Sequence, residues 1–442
     1  MEAELELAER VVAAAVSAGA GEAEATFTVA DRFSTEARAR EIAKLEQSTG
    51  RSLSLRVFIE GAKASLVTTD FSDDGLRRFV GEAVEAAGYV GRDPHGGLPD
   101  ETAPASDDGL ELYSPDVRAR EPEAKIEDAL ALEAAARAYD AQIVNSSGSR
   151  VADAAVTIAL ANSRGFRGAF RASSATRSSA PIARDGAGKR IAHYGSAARS
   201  YAALESVETV ATLAARRAVE MIGARKPQTM RCPVIFERDV ASLVLSDIFS
   251  AVSAANVAVG NSFLLERVGT QVGNELATIV DDGRLPGGLG SSPFDSEGVP
   301  TRRTVVFERG VLRTFLYDSY YARRLGSKST GNASGGGVGP NNFYLEAGQG
   351  SLEELIAATP RGVLVLDTIG FSTESVTGAY SRGARGFLIQ NGELAYPIGE
   401  FTIAGNLAAM LGAIDAVAGD LRFDSPIVSP SFRVAEMTVS GN

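Results

Sequence analysis

Residues 377–407 read TGAYSRGARGFLIQNGELAYPIGEFTIAGNL. Their pattern fixes the character of the second half of the chain. Apolar runs at 387–389 and 394–396 flank Asn391-Gly392, a pair that readily takes the two positive φ angles of a tight hairpin. A second pair of runs, 305–307 and 311–315, flanks Glu308-Arg309-Gly310 in the same way. Strands joined by such turns are antiparallel, so this half is expected to be mainly antiparallel sheet, interrupted by a short helix at 351–358 with Glu353 and Glu354 early.

Upstream, KPQTMRCP at 226–233 carries two prolines after a helical stretch and is taken as the domain boundary, giving domains 1–228 and 229–442. Beyond it, a strand at 234–236 leads to Asp239 as expected N-cap of a helix with the stripe Val240, Val244, Ile248, Val252. In the first half, residues 26–42 and 51–69 are strand-rich. Leu53, Leu55, Val57 and Ile59 alternate with polar neighbours, and Glu60-Gly61 supplies a turn into 64–69. Helices are expected at the N-terminus, 76–89, 124–139 and 205–222, a strand at 151–160, and an irregular connection across the Gly-, Pro- and Asp-rich 91–122.

Of the 442 residues, 45% are hydrophobic and 23% charged, as in a soluble globular protein. A net charge of -12 repels polyanions, so neither nucleic acid nor an acidic membrane surface is an expected partner. The N-terminus is acidic where a signal peptide needs positive charge, and no run approaches the roughly 18 apolar residues of a spanning helix. Cys232 is the single cysteine, which suits a cytoplasmic location.

Few residues suggest chemistry of their own. His95 and His193, the two histidines, lie far apart in polar segments and form no ligand motif, and no G-x-S-x-G elbow presents a serine. Cys232 reads as a small buried hydrophobe. Asp281-Asp282-Gly283 reads as an acidic turn with too few oxygens for calcium. The glycine-rich segment GNASGGGVGPNN, 331–342, lacks the lysine and following helix of a phosphate loop and is expected to be a flexible loop at a cleft or subunit edge. In GAYSRGARG, Tyr380, Ser381 and Arg382 could hydrogen-bond an extended peptide, or the segment could be a turn with a solvated arginine.

Four segments, SSPFDSEGVPT (291–301), ARRLGSKSTGN (322–332), GAYSRGARG (378–386) and IAGNL (403–407), resemble the TldD/PmbA family of peptidase-related proteins, also described as modulators of DNA gyrase. The zinc-bearing TldD branch carries H-E-x-x-x-H on the helix upstream of an acidic turn. Its spacing implies that Leu245 and Ser250 stand in place of the histidines and Ser246 in place of the glutamate. The resemblance is therefore to the PmbA/TldE branch, which lacks the zinc motif.

That resemblance, joined to the pattern, gives an α+β protein of two domains: an N-terminal α/β domain and a C-terminal antiparallel, barrel-like β domain. It implies a catalytically inactive, metal-free subunit with no cofactor of its own, paired with a TldD-like paralogue that holds zinc, or else with itself. The assembly would process small or unfolded peptides in a chamber that this chain helps to form. Expected substrate-binding residues are Asn332, Gly336, Gly337, Tyr380, Ser381 and Arg382. A stand-alone homodimeric peptide-binding protein without proteolytic activity, or an autonomous hydrolase using a serine, or a lysine with a serine, near Ser327, Lys328 and Ser329, are the alternatives.

Overall fold

The computed structural model describes residues 1–100, 106–370 and 373–441, so part of the expected 91–122 connection lies outside the described residues. The first half is built on one antiparallel sheet of long strands. These are β1 (Glu22–Arg38), β2 (Glu41–Ile59), β3 (Ala62–Thr68), β4 (Ile143–Asn162) and β5 (Arg167–Asp185), with the short β6 (Gly188–Ile191) and β7 (Tyr194–Ala198). Their order is β3-β2-β1-β4-β5-β6, and β7 also pairs with β5. The alternation read at 53–59 is the part of β2 that pairs with both β1 and β3, and its Leu53, Leu55 and Val57 are fully buried. They pack with Leu5 and Val11 of α1 (Glu2–Ser17) and Phe79 of α2 (Asp73–Gly88).

A second apolar layer joins the sheet residues Val151 and Ala175 to Leu132 and Val210. The short α3 (Asp116–Ala119) precedes α4 (Pro122–Ala138), which carries Leu132, and Val210 lies on α5 (Val207–Glu220). The strand at β5 was not expected from sequence. It is rich in Ser, Ala and Arg and is held extended by pairing with β4 along one edge and with β6 and β7 along the other.

In the second half, β8 (Met230–Phe236) is followed by α6 (Arg238–Val252) and α7 (Ala254–Ala258). A small sheet then forms from β9 (Ile279–Asp282), β10 (Arg303–Glu308) and β11 (Val311–Leu312). After α8 (Ser319–Arg324) come β12 (Ala333–Ser334), β13 (Gly337–Val338) and β14 (Phe343–Leu345). Next are α9 (Leu352–Ala357), β15 (Arg361–Ile369), β16 (Ala379–Gln390), β17 (Glu393–Asn406) and α10 (Leu407–Gly412). The last elements are β18 (Ile414–Val417), β19 (Ile427–Val428) and β20 (Phe432–Ser440).

Pairings run β8-β15-β16-β17-β20 and return to β8, which closes a five-stranded barrel. One of these pairings, β8 with β15, is parallel. The Asn391-Gly392 hairpin forms as read, with φ of 54° and 78°, and a Cβ at Gly392 would sit 2.6 Å from the Ala357 carbonyl oxygen. Barrel side chains Val234, Val365 and Ile403 share one core with Val244, Leu245 and Ile248 of α6.

Two local expectations are corrected. The cap of α6 is Glu237, whose carboxylate accepts the Asp239 N–H at 3.0 Å, so Asp239 lies inside the first turn. Asp281 and Asp282 end strand β9 instead of forming a turn: Asp281 pairs with both Thr304 and Phe343 and is fully buried. Buried acids read as turn residues from sequence because such a carboxylate needs donors that come from distant segments.

Candidate functional site

The α6 helix carries Leu245, Ser246 and Ser250, the positions that the resemblance sets against the zinc motif of the TldD branch. Leu245 is 4% exposed and belongs to the apolar core. Ser250 accepts the Asn256 side-chain amide at both its carbonyl (2.8 Å) and its hydroxyl (3.0 Å). Ser246 points outward, into a groove of about 490 Å³ lined also by Ser242, Leu243, Pro340, Asp424 and Pro426. An alkyl side chain and two neutral hydroxyls do not fit a catalytic zinc, which takes His, Cys, Asp or Glu donors. Among the described residues no three such side chains converge as a metal site would require.

Between Ser246 and Ile248, Asp247 takes a different partner. Arg382 on β16 places one guanidinium nitrogen 3.0 and 2.8 Å from the two Asp247 carboxylate oxygens, and Thr373 donates to Oδ2 at 2.9 Å. Burial raises the Asp247 carboxyl above its usual range, with Arg382 opposing that rise. Alternation along β16 buries Tyr380 and Arg382 on one side and turns Ser381 out to solvent on the other. Arg382 lies 5.5 Å from the centre of the Tyr380 ring, and the Tyr380 hydroxyl is buried without a hydrogen-bond partner among the described residues. The three residues named together from sequence are thus split between two faces. Tyr380 also pairs with Gly405 of β17 and bridges to Thr373, so the strand is flanked on both sides at that point.

The glycine-rich segment folds into a small hairpin, β12 with β13, turned by Gly335 and Gly336 at φ of 53° and 152°. Its base is held by Asn332, 2% exposed, whose amide donates to Asp281 Oδ2 at 2.7 Å and to the Gly339 carbonyl at 3.0 Å. Asn341 adds its backbone N–H and its side-chain amide to the same carboxylate, each at 2.9 Å. Burial raises Asp281 to about 6 against these stabilising hydrogen bonds. Asn332 is therefore committed within the fold, whereas Gly336 and Gly337 line a cleft of about 340 Å³ together with Arg56, Lys63, Glu297 and Tyr320.

Buried acids gather behind this cleft, where the N-terminal sheet meets the C-terminal half. Arg56 on β2 reaches Glu24 and Glu297, each at 3.3 Å, and the Ser296 carbonyl. Burial pushes Glu24 up to about 7 despite Arg56, and burial with the neighbouring Glu297 charge pushes Asp295 up to about 8. Asp295 accepts the N–H of Ala333 at 3.0 Å, tying the glycine hairpin to the cluster. Sequence reading missed this group because its members lie on strands and turns far apart in the chain.

Elsewhere, His95 stands edge-on to Tyr320 with ring centres 6.4 Å apart, and His193 lines a separate groove with Arg217 and Asp239. Cys232 is buried, and burial pushes its thiol up to about 11. Ser327, Lys328 and Ser329 border a further cleft with Arg302 and Arg323, and the Ser329 hydroxyl accepts the Gly331 N–H at 3.2 Å.

The sequence matches three domain descriptions in order: PmbA/TldA metallopeptidase domain 1 at 23–87, central domain at 115–222 and C-terminal domain at 229–441. Metalloprotease PmbA of Escherichia coli O157:H7 is 33% identical over 446 residues, covering 100% of this chain and 98% of that protein. The chain belongs to the PmbA/TldD family. A PmbA homolog of Haemophilus influenzae is 34% identical, with 97% and 94% of the two chains covered.

Among solved members of similar fold, a candidate modulator of DNA gyrase from Bacteroides thetaiotaomicron superposes with a TM-score of 0.92 at 26% identity over 99% of this chain and 98% of the other. TldE from Thermococcus kodakarensis gives 0.90 at 21% identity over 98% and 100%, a likeness of fold. In this PmbA/TldD chain the first two matched regions share one sheet, because β1 pairs with β2 on one side and β4 on the other.

Proposed function

We propose that this chain is the metal-free, TldE-like subunit of a peptide-processing metalloprotease whose zinc is carried by a TldD-like paralogue. The carrying observation is the state of α6, where Leu245 is sealed in the core and Ser250 is engaged by Asn256. The names of the relatives, which describe metalloproteases, supply the reaction class. The groove beside Ser246 and the cleft beside Gly336 and Gly337 form walls of a substrate chamber, with Gly336, Gly337 and Ser381 touching peptide. Asn332, Tyr380 and Arg382 hold those walls in place from buried positions. A single, buried cysteine supports a cytoplasmic location, and no helix among the described residues is long and apolar enough to cross a membrane.

The test is to assay the purified chain for zinc and for cleavage of unstructured peptides, alone and mixed with a TldD-like paralogue from the same source. The expected result is no stoichiometric zinc and no cleavage alone, with cleavage on mixing that a chelator abolishes. Stoichiometric zinc bound by the lone chain together with cleavage defeats the proposal.

A further inference from the structure

Arg199, just past β7, is the only basic side chain among the described residues that line a cavity of about 420 Å³ between the N-terminal sheet and the C-terminal half. Its guanidinium donates to the carbonyls of Ser173 at 3.2 Å, Gly288 at 2.6 Å, Leu289 at 3.0 Å and Ser291 at 3.1 Å. No carboxylate reaches it among the described residues, whereas Arg56, Arg177, Arg217 and Arg382 each lie against one. Its Nε is buried without an acceptor, and burial alone brings the guanidinium down to about 10. A desolvated cation with no counter-charge is costly, and an anion entering the cavity relieves that cost.

One side of the cavity is apolar. Val156 and Ile158 share a face of β4, pair across to Ala172 and Phe170 of β5, and stand beside Phe294. Val156, Ile158 and Ala172 are only half-buried, so the patch has room to cover an incoming group. Asp295 is the only acid among the described lining residues, and burial with the Glu297 charge raises it to about 8, so at pH 7 it is mostly neutral and opposes an anion little. The cavity shares Pro340 with the groove beside Ser246, and Ser296 and Ala333 with the cleft beside Gly336 and Gly337. It lies between the two walls of the proposed substrate chamber.

A lone cation beside an apolar patch matches a monocarboxylate with an apolar neighbour, as in the last residue of a peptide. We propose that this cavity is a subsite for the C-terminal residue of a peptide, with Arg199 taking the α-carboxylate and Val156, Ile158 and Ala172 taking an apolar side chain. The assignment deepens the peptide-processing reading and rests on it.

Calorimetric titration of the full chain with the N-acetylated tripeptide alanine-alanine-leucine, as free acid and as C-terminal amide, tests it. The net charge of -12 repels anions in general, so a preference for the acid reports a local cation. The acid should bind at least about tenfold more tightly than the amide. Arg199→Gln keeps an amide for the loop carbonyls but removes the charge, and should erase that preference, while Arg199→Lys should keep part of it. Should Arg199→Gln not fold, Val156→Asp puts a negative charge on the half-buried floor and should weaken the acid about tenfold more than the amide. Acetyl-leucine binding as tightly as the tripeptide would assign the cavity to a small free acid and overturn the proposal. Equal binding of acid and amide, or an unchanged preference in Arg199→Gln or Val156→Asp, overturns it and leaves the peptide-processing reading intact. Binding of neither probe also overturns it, and the zinc and cleavage assay then judges that reading separately.

Discussion

Replacing Asn332 by alanine separates a residue that touches substrate from one that holds the site together. The side chain makes three hydrogen bonds: to Asp281 Oδ2 at 2.7 Å, to the Gly339 carbonyl at 3.0 Å, and from Thr330 Oγ1 at 2.6 Å. A bond to a charged group contributes about 1.5–3 kcal/mol and a neutral one about 1. Asp281 keeps Asn341, and Thr330 keeps the Tyr317 carbonyl at 3.1 Å, so the net loss should be about 3 kcal/mol.

The loss should depend on pH. Asp281 is raised from 3.8 to about 6 by burial, so the folded protein holds that proton more tightly than the unfolded chain. Its contribution to stability is full below the unfolded value and is lost as pH rises through about 6. Without Asn332 the charged form loses a donor and the carboxyl moves further up. The deficit relative to wild type should therefore be about 1 kcal/mol smaller at pH 5 than at pH 8. Chemical denaturation of both proteins at the two pH values measures this. A deficit under about 1 kcal/mol at pH 8, or one that does not shrink at pH 5, refutes the structural role given to Asn332. Lost peptide binding with unchanged stability would make it a substrate contact instead.

Three further outcomes are expected. Arg382→Ala leaves Asp247 partly buried with Thr373 as its remaining side-chain donor among the described residues and should destabilise by about 2 kcal/mol, while Asp247→Asn in that background should recover part of the loss in denaturation measurements. Glu24→Gln removes a carboxyl raised to about 7, whose stabilising contribution in wild type disappears as pH rises through that value. The variant should consequently gain in melting temperature relative to wild type between pH 5 and pH 8. The buried Cys232 thiol should resist an aromatic disulfide reagent at pH 8 in the folded protein and react at once after unfolding, as followed by absorbance.

Local patterns made much of the fold legible. The Asn391-Gly392 and Glu308-Arg309-Gly310 hairpins, the Leu53–Ile59 alternation and the stripe along α6 each depend on residues close in sequence, and each forms as read. Polar strands illustrate the opposite case: β5 and the outer part of β2 have no apolar alternation to betray them, and their extended state comes from pairing with β4 and β1.

The sequence by itself determined that Leu245, Ser246 and Ser250 offer no zinc donors, because residue identity settles what lone pairs are on offer. Only the tertiary structure decided what the remaining polar groups do. It turned Ser381 away from Tyr380 and Arg382, gave Arg382 to Asp247, enclosed Asp281 between Asn332 and Asn341, and brought Glu24 within reach of the Arg56 that also binds Glu297. Hydrogen bonds and ion pairs act over about 3 Å of space without regard to distance along the chain, so no spacing rule could have revealed them.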